Sequence, residues 1–437
     1  MATLVPVEKK ISTEVKVLIL DGDSALMRSL QRTHPDLADE WDFRVVGSSA
    51  EGLSLLDSFS ADVVISDFNI SSEQTGLEAL EMIAEKDPST IRILTADQAD
   101  RRMAVSAASA AHQFISKNSP PAEFLEAINR ALNLRNIVSS PSLRSLVGGI
   151  KSLPSLPSLY LDITRELRSK DPNVEALVKS IEMDPAIAAK VLQLVNSGFF
   201  GLPNKIADVG EASRLLGIEI LQSLVLLSGV FSQFEQQGGI FLSIHSYWKH
   251  SLAVGRLSQA VVRFLPNGDA FRQETFTAGL LHDIGDLILS VYRHREHVQA
   301  NQIASSEGLP RHRVERQLMG ASHAEAGAYL LNLWGLPSTT VEAVALHHDP
   351  MKSPCESASV LTAVHLANAL EHERKSGGRV PAGSTFDRKY LKKLGLEDKI
   401  DAQSSEENLP AVAHGALRLI CYLLVRRCLS ISTDFRG

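Results

Sequence analysis

Three aspartates in the first seventy residues stand where a chain could gather negative charge at one point. Asp21 and Asp23 follow the apolar run 15–20, and Asp67 closes the run 63–66. Carboxylates brought to neighbouring strand tips repel one another. Such a cluster needs an oxygen-preferring divalent cation such as Mg2+, which also offsets the charge of an incoming phosphoryl group. One aspartate can then act as nucleophile and carry the phosphoryl group as an aspartyl phosphate. Thr95 and Lys117, at the ends of two further runs, are placed to bond phosphoryl oxygens. Phe114 lies three residues before the lysine, where it could move inward when Thr95 is recruited.

A second set of chemical groups lies in the C-terminal two-thirds. His282 and Asp283 are adjacent within Leu280-Leu281-His282-Asp283-Ile284-Gly285, and His250, His323, His347 and His348 supply further imidazoles. An adjacent His and Asp on one helix share a metal only if other helices bring ligands to them. Imidazole and carboxylate at a bundle centre suit one or two divalent transition metals that lower the pKa of bound water and polarise a phosphoryl oxygen. The competing reading is that these histidines are hydrogen-bonded core or capping residues. His294, His297 and His312 sit among arginines and read as solvated, whereas Trp248 and Trp334 read as core anchors. Asp184-Pro185 reads as a helix N-cap followed by its first residue, Asn196-Ser197 as a cap, and Gly198 and Gly201 as a turn.

The elements that must hold these groups follow from periodicity. Short β-rich runs at 15–20, 43–46, 63–66, 91–94 and 113–116 alternate with segments of helical period. Near-continuous apolar strands with helices between them predict a doubly wound parallel sheet, with its crevice at the strand C-termini. Residues 139–157 are rich in Ser, Pro and Gly and read as an exposed connector, with a short helix at 143–150. Beyond it nearly every segment has helical period, which predicts an all-α domain. Residues 371–407 are polar and charged. An apolar stripe resumes at 410–428, able to close the core or to mediate dimerisation. The expected division is an α/β domain at 15–136, a linker at 137–152, a helical domain at 153–370 and a C-terminal helical extension at 371–437.

The 437 residues are 44% hydrophobic and 22% charged, enough apolar content to bury sizeable cores. A formal charge of -7 gives no electrostatic ground for a nucleic-acid or anionic-membrane partner. Cys355, Cys421 and Cys428 show no metal-binding or redox spacing, which points away from a disulfide framework and towards the cytoplasm. No apolar run approaches the length of a membrane span.

With these residues in place, 15–136 resembles the flavodoxin-like receiver domain of response regulators. The resemblance implies Asp67 as phosphoacceptor, Asp21 as an acidic-pocket residue, Asn69 as a backbone ligand to Mg2+, and Thr95, Phe114 and Lys117 as the switch set. It also implies a sensor histidine kinase as phosphodonor. Gly22 stands where the family usually has a second acid, with Asp23 next in line for the missing oxygen, and Asn118 replaces the usual proline.

The second half is similar to the HDOD domain of the HD superfamily, related to the HD-GYP phosphodiesterases. The likeness rests on Asp184-Pro185-Ala186, Leu192-Gln193-Leu194-Val195-Asn196-Ser197, Leu216-Gly217 and Trp334-Gly335-Leu336-Pro337. It implies His250, His282, Asp283, His323, His347 and His348 as metal-ligand positions. Asn368 stands where catalytic relatives carry an acid, and the glycine-tyrosine-proline signature is missing. The expected function is a two-component response regulator whose phosphorylation controls a non-catalytic HDOD module. That module would act on a downstream signalling protein or through a homodimer, without membrane or nucleic acid. The alternative is an HD-type metal-dependent phosphohydrolase, such as a cyclic-dinucleotide phosphodiesterase, regulated by the receiver.

Overall fold

The computed structural model describes residues 15–22, 25–33, 41–70, 75–96, 110–135, 138, 140–150, 163, 166, 173–196, 202, 204–228, 238–376 and 386–396. The N-terminal part runs β1 (Val15–Leu20), α1 (Ala25–Thr33), β2 (Trp41–Val46), α2 (Ser49–Leu55), β3 (Val63–Asp67), α3 (Gly76–Lys86), β4 (Ile91–Ala96), β5 (Gln113–Ser116) and α4 (Pro121–Arg135). All strand pairs are parallel, in the order β2-β1-β3-β4-β5. This is the expected doubly wound sheet. The central strands are buried on both faces, which is why they read as unbroken apolar runs rather than alternating ones. Strand β2 begins at Trp41, two residues before the expected start, because Trp41 is buried and pairs with Val15. The strand order reverses between β1 and β3, so a crevice opens beyond their C-terminal tips.

The connector carries its expected short helix, as α5 (Pro141–Gly148), but docked against the sheet rather than exposed. Ser140 caps it by accepting from the Leu143 amide, and Leu143 and Val147 are fully buried. The carbonyl of Gly148 is held by the floor of the sheet. Arg92 of β4 donates to it at 2.8 Å, and also to the carbonyls of Ala110, Pro88 and Thr90. His112 Nδ1 accepts the Arg92 amide, so its proton sits on Nε2 and is donated to Gly148 at 2.8 Å. Burial pushes the Arg92 guanidinium down to about 10, and burial together with the Arg92 charge holds His112 well below its ordinary value. Arg92→Ala strands several buried carbonyls at once. We expect it to cost about 3 kcal/mol of stability, read as a lower urea midpoint in denaturation of the full chain.

The C-terminal part is helical throughout its described residues: α6 (Val174–Glu182), α7 (Pro185–Val195), α8 (Val209–Ser228), α9 (Gly238–Val261), α10 (Arg272–Leu281), α11 (Ile284–Tyr292), α12 (His294–Glu307), α13 (Arg311–Met319), α14 (His323–Leu333), α15 (Ser338–Leu346), α16 (Val360–Ser376) and α17 (Arg388–Lys393). Asp184 caps α7 through the amides of Ala186 and Ile187, with Pro185 as first helical residue. Asn196 ends α7, and its side chain also clamps the backbone of Ile206 through both its oxygen and its nitrogen. Helix α16 continues past 370. Tyr390 and Leu391 of α17 fill a small core with Val254, Leu257, Leu366 and Leu370, so part of the stretch read as polar closes the bundle. The 410–428 stripe, Cys421, Cys428, Ser197 and the Gly198 and Gly201 turn lie outside the described residues. Among the described residues no helix is long and apolar enough to cross a membrane.

Candidate functional sites

The crevice at the sheet's C-terminal edge is a cleft of about 330 Å³ lined by Asp21, Asp67, Thr95 and Lys117 among others. Asp67 is nearly buried. Its Oδ2 accepts from Lys117 Nζ at 2.6 Å, while Oδ1 has no hydrogen-bond partner. The Thr95 hydroxyl turns back towards the Ser66 carbonyl at 3.4 Å, and β-pairing sets Thr95 directly beside Asp67. Asn69 is exposed, and Asp23 lies outside the described residues. Phe114 is buried within the core. It belongs to the apolar packing of β5, and that packing holds it in.

The six residues singled out in the helical half converge. Asp283 is the hub: its Oδ1 faces His323 Nε2 at 3.3 Å and His347 Nε2 at 3.4 Å, and its Oδ2 faces His282 Nε2 at 3.3 Å and His250 Nε2 at 3.4 Å. Two sets of donor atoms result, each compact enough for one ion. One is Asp283, His323, His347 and His348; the other is His250, His282 and Asp283. Asp283 Oδ1 and the Nε2 atoms of His250, His282 and His347 make no hydrogen bond, although all are buried. The far ring nitrogens of His282, His347 and His323 are occupied, whereas His250 Nδ1 has no hydrogen-bond partner. His282 Nδ1 bonds the Gly279 carbonyl and His347 Nδ1 the Val344 carbonyl, both at 2.8 Å, and His323 Nδ1 makes a short bond to Glu315. Such outer partners fix the tautomer that leaves Nε2 as a lone-pair donor. Buried, unpartnered donors of this type around one carboxylate fit a divalent cation.

For His347, His348 and Asp283 the electrostatics agree with that fit, whereas His323 carries a proton that a bound ion would have to displace. Burial pushes His347 down to about 4 and His348 well below its ordinary value, so both rings are neutral at pH 7. Burial would raise Asp283, but the surrounding imidazoles, His282 foremost, hold it well below the usual carboxylate range. Burial also weighs against charge on His323, yet Glu315 prevails and holds that ring up to about 10. Glu315 is itself steadied by Arg311 at 3.2 Å.

Some participants were not foreseen. Glu315 is fully buried and supports His323 through both the ring and the backbone amide. His372 lies 5.0 Å from His250, ring centre to ring centre, and burial pushes it down to about 3. The spacing Asn368 to His372, one helical turn, is the signal that could have found it. Asn368 Oδ1 is buried without a partner on that same face. His312 is not solvated: it stacks on His348 at 4.6 Å. Nor is His297, which is buried against Asp286 at 2.9 Å, whereas His294 is exposed. His365 uses both ring nitrogens, on the His347 carbonyl and the Asp387 amide, and so serves structure. Trp334 is a core anchor, with Lys190 Nζ 4.4 Å from its ring centre.

Comparison with known proteins gives the two halves their class. Residues 17–129 match the response regulator receiver domain and residues 153–350 the HDOD domain. Chemotaxis protein CheY of Listeria monocytogenes is 33% identical over 121 residues, 27% of this chain and 98% of that protein. An uncharacterized protein of Treponema pallidum is 26% identical over 225 residues, 51% of this chain and 43% of that protein, so the chain spans less than half of that relative's length. The MmoQ response regulator of Methylococcus capsulatus, a solved structure, is 24% identical with a TM-score of 0.43 over 57% of this chain and 95% of that one. The chain belongs to the two-component response regulators that join a receiver domain to an HDOD module.

Proposed function

We propose that Asp67 accepts a phosphoryl group from a sensor histidine kinase and that the HDOD module passes on the change as an altered protein surface. The observation that carries this reading is the divided state of Asp67, a residue lining the cleft, with one carboxylate oxygen tied to Lys117 and the other buried and unpartnered. An Asp67 oxygen attacks phosphorus in line, the bond from phosphorus to the kinase imidazole breaks, and the imidazole leaves with its electron pair. Lys117 and the Thr95 hydroxyl then bond the phosphoryl oxygens. Mg2+ would be held by Asp21, Asp67 and the Asn69 carbonyl, with Asp23 as a further oxygen donor, and would neutralise the incoming charge. Acetyl phosphate with Mg2+ should label the full chain at one site and leave Asp67→Ala unlabelled. Equal labelling of both proteins, or of neither, would refute the assignment.

In the helical module Asp283, His323, His347 and His348 form a complete set of four donors, the pattern of a closed structural site for a divalent transition metal. Among the described residues the opposite set has three, and the neutral Asn368 replaces the acid that the resemblance implies for catalytic relatives. This asymmetry supports one structural ion and output through binding of a downstream signalling protein or a second copy of the chain. Phosphoester turnover by the metal-loaded chain, lost in His282→Ala, would favour the hydrolase reading instead.

A further inference from the structure

The receiver and the HDOD module meet at the end of the sheet opposite the phosphorylation crevice. Gln113, the first residue of β5, donates from Nε2 to the Asn332 carbonyl at 3.3 Å. Gln193 of α7 donates from Nε2 to the His112 carbonyl at 3.4 Å, and accepts from the buried Lys190 at 2.7 Å. The β5 strand therefore has Lys117, bound to Asp67, just past one end and two bonds to the HDOD module at the other. The span is four residues, about 13 Å of extended chain.

Asn332 lies near the C-terminal end of α14, and the same helix begins with His323 of the metal-ligand set. Nine residues of helix separate them, about 14 Å. Helix α14 has little freedom relative to Asp283. A Cβ at Gly285 would come within 1.8 Å of the His323 carbonyl and 2.7 Å of the Gly327 amide, so α11 and α14 touch backbone to backbone. Any shift of α14 along its axis must change the placement of His323 against the Asp283 carboxylate, since α11 carries its neighbour. The linker helix α5 runs alongside: Ser140, its cap, abuts Gly320 just before α14, and Gly148 at its other end is tied to Arg92 and His112.

We infer that β5 and α14 act as two rigid levers in series, joined at Gln113 and Asn332, which couple occupancy at Asp67 to the geometry of the Asp283 and His323 metal site. This inference rests on the phosphoacceptor and metal-site readings above and adds the route between them. Drawing Lys117 and its strand towards a phosphoryl group moves the start of β5. That movement reaches α14 through the Gln113 bond, with α7 and Gln193 as the second contact. Coupling between two binding events is reciprocal: the factor by which one changes the other must be the same in both directions.

The test measures Zn2+ affinity of the full chain by chelator competition, in constant saturating Mg2+, with and without beryllofluoride as the phosphoryl mimic. The expected change is about 5-fold or more, matched by an equal change in beryllofluoride affinity when Zn2+ is present. In the double variant Gln113→Ala with Gln193→Ala, both ligands should still bind while the change falls to within about twofold. As a check that needs no variant, beryllofluoride should alter amide hydrogen exchange in residues 323–333 of the wild-type chain. Binding of both ligands with no mutual effect, undiminished coupling in the double variant, or unaltered exchange in α14 would each overturn the route. Failure of beryllofluoride or Zn2+ to bind the wild-type chain would instead overturn the parent reading, and this one with it.

Discussion

Asp283→Ala is expected to remove transition-metal binding from the helical module, a loss of at least about 100-fold in affinity, or ~2.7 kcal/mol. Both donor sets use this one carboxylate, Oδ1 for His323 and His347, and Oδ2 for His250 and His282. It is also the only anion in either set, so its removal leaves a cation facing neutral imidazoles in a buried site, where uncompensated charge is costly. His282→Ala takes a donor from the three-membered set alone and should spare the four-membered one. His365→Ala is the contrasting control, since both its ring nitrogens are spent on backbone groups and its loss should lower stability without changing metal content. Elemental analysis of protein purified without chelator reads all three variants. An Asp283→Ala protein that keeps wild-type metal content would show that the ion is not held by this carboxylate.

How much of this was legible beforehand depends on the range of the interaction. The sheet could be read because each strand is buried on both faces and writes its burial into consecutive apolar residues, as 15–20 and 63–67 do. Asp21, Asp67, Thr95 and Lys117 could be read because they end those runs, and parallel pairing brings strand ends together. The His282-Asp283 pair was visible as an adjacent imidazole and carboxylate, although it was read on one helix and lies instead at the junction of α10 and α11. What escaped depends on partners far away in sequence. Glu315 looks like one more charge on a helix rich in arginine, and only the fold brings it against His323. His297 and His312 sit beside Arg295, Arg311 and Arg313, and local composition suggested solvent where tertiary packing provides Asp286 and His348. The docking of α5, though not the helix itself, was hidden in the same way. Its Ser, Pro and Gly content suits a connector, but one of the carbonyl acceptors of Arg92 comes from Gly148, 56 residues away.

The metal-free chain should lose stability more steeply towards acid than towards alkali. His347 is held by burial near 4, against an ordinary 6.5, so between those values the unfolded chain binds a proton that the folded chain refuses. Its contribution is complete above about 6.5 and falls away as pH drops, reaching roughly 3 kcal/mol of destabilisation once pH is below 4. His348 and His250 are displaced in the same direction by burial and add to the same limb. His323 has the opposite sign. Its folded value of about 10 exceeds the unfolded 6.5, so its contribution is complete below 6.5 and is lost as pH rises through 10. Several protons thus drive the acid limb, whereas on the alkaline side the loss from His323 is offset by Lys190, which burial holds at about 7 against an ordinary 10.5 and which gains stability between those values. Urea midpoints of chelator-treated protein from pH 4.5 to 9.5 should trace that asymmetry, and Glu315→Gln should remove the His323 share of the alkaline loss by taking away the anion that keeps the ring charged. A symmetric profile, or an alkaline limb steeper than the acid one, would mean that these imidazoles are not neutral in the folded chain, and the case for them as metal donors would fall with it.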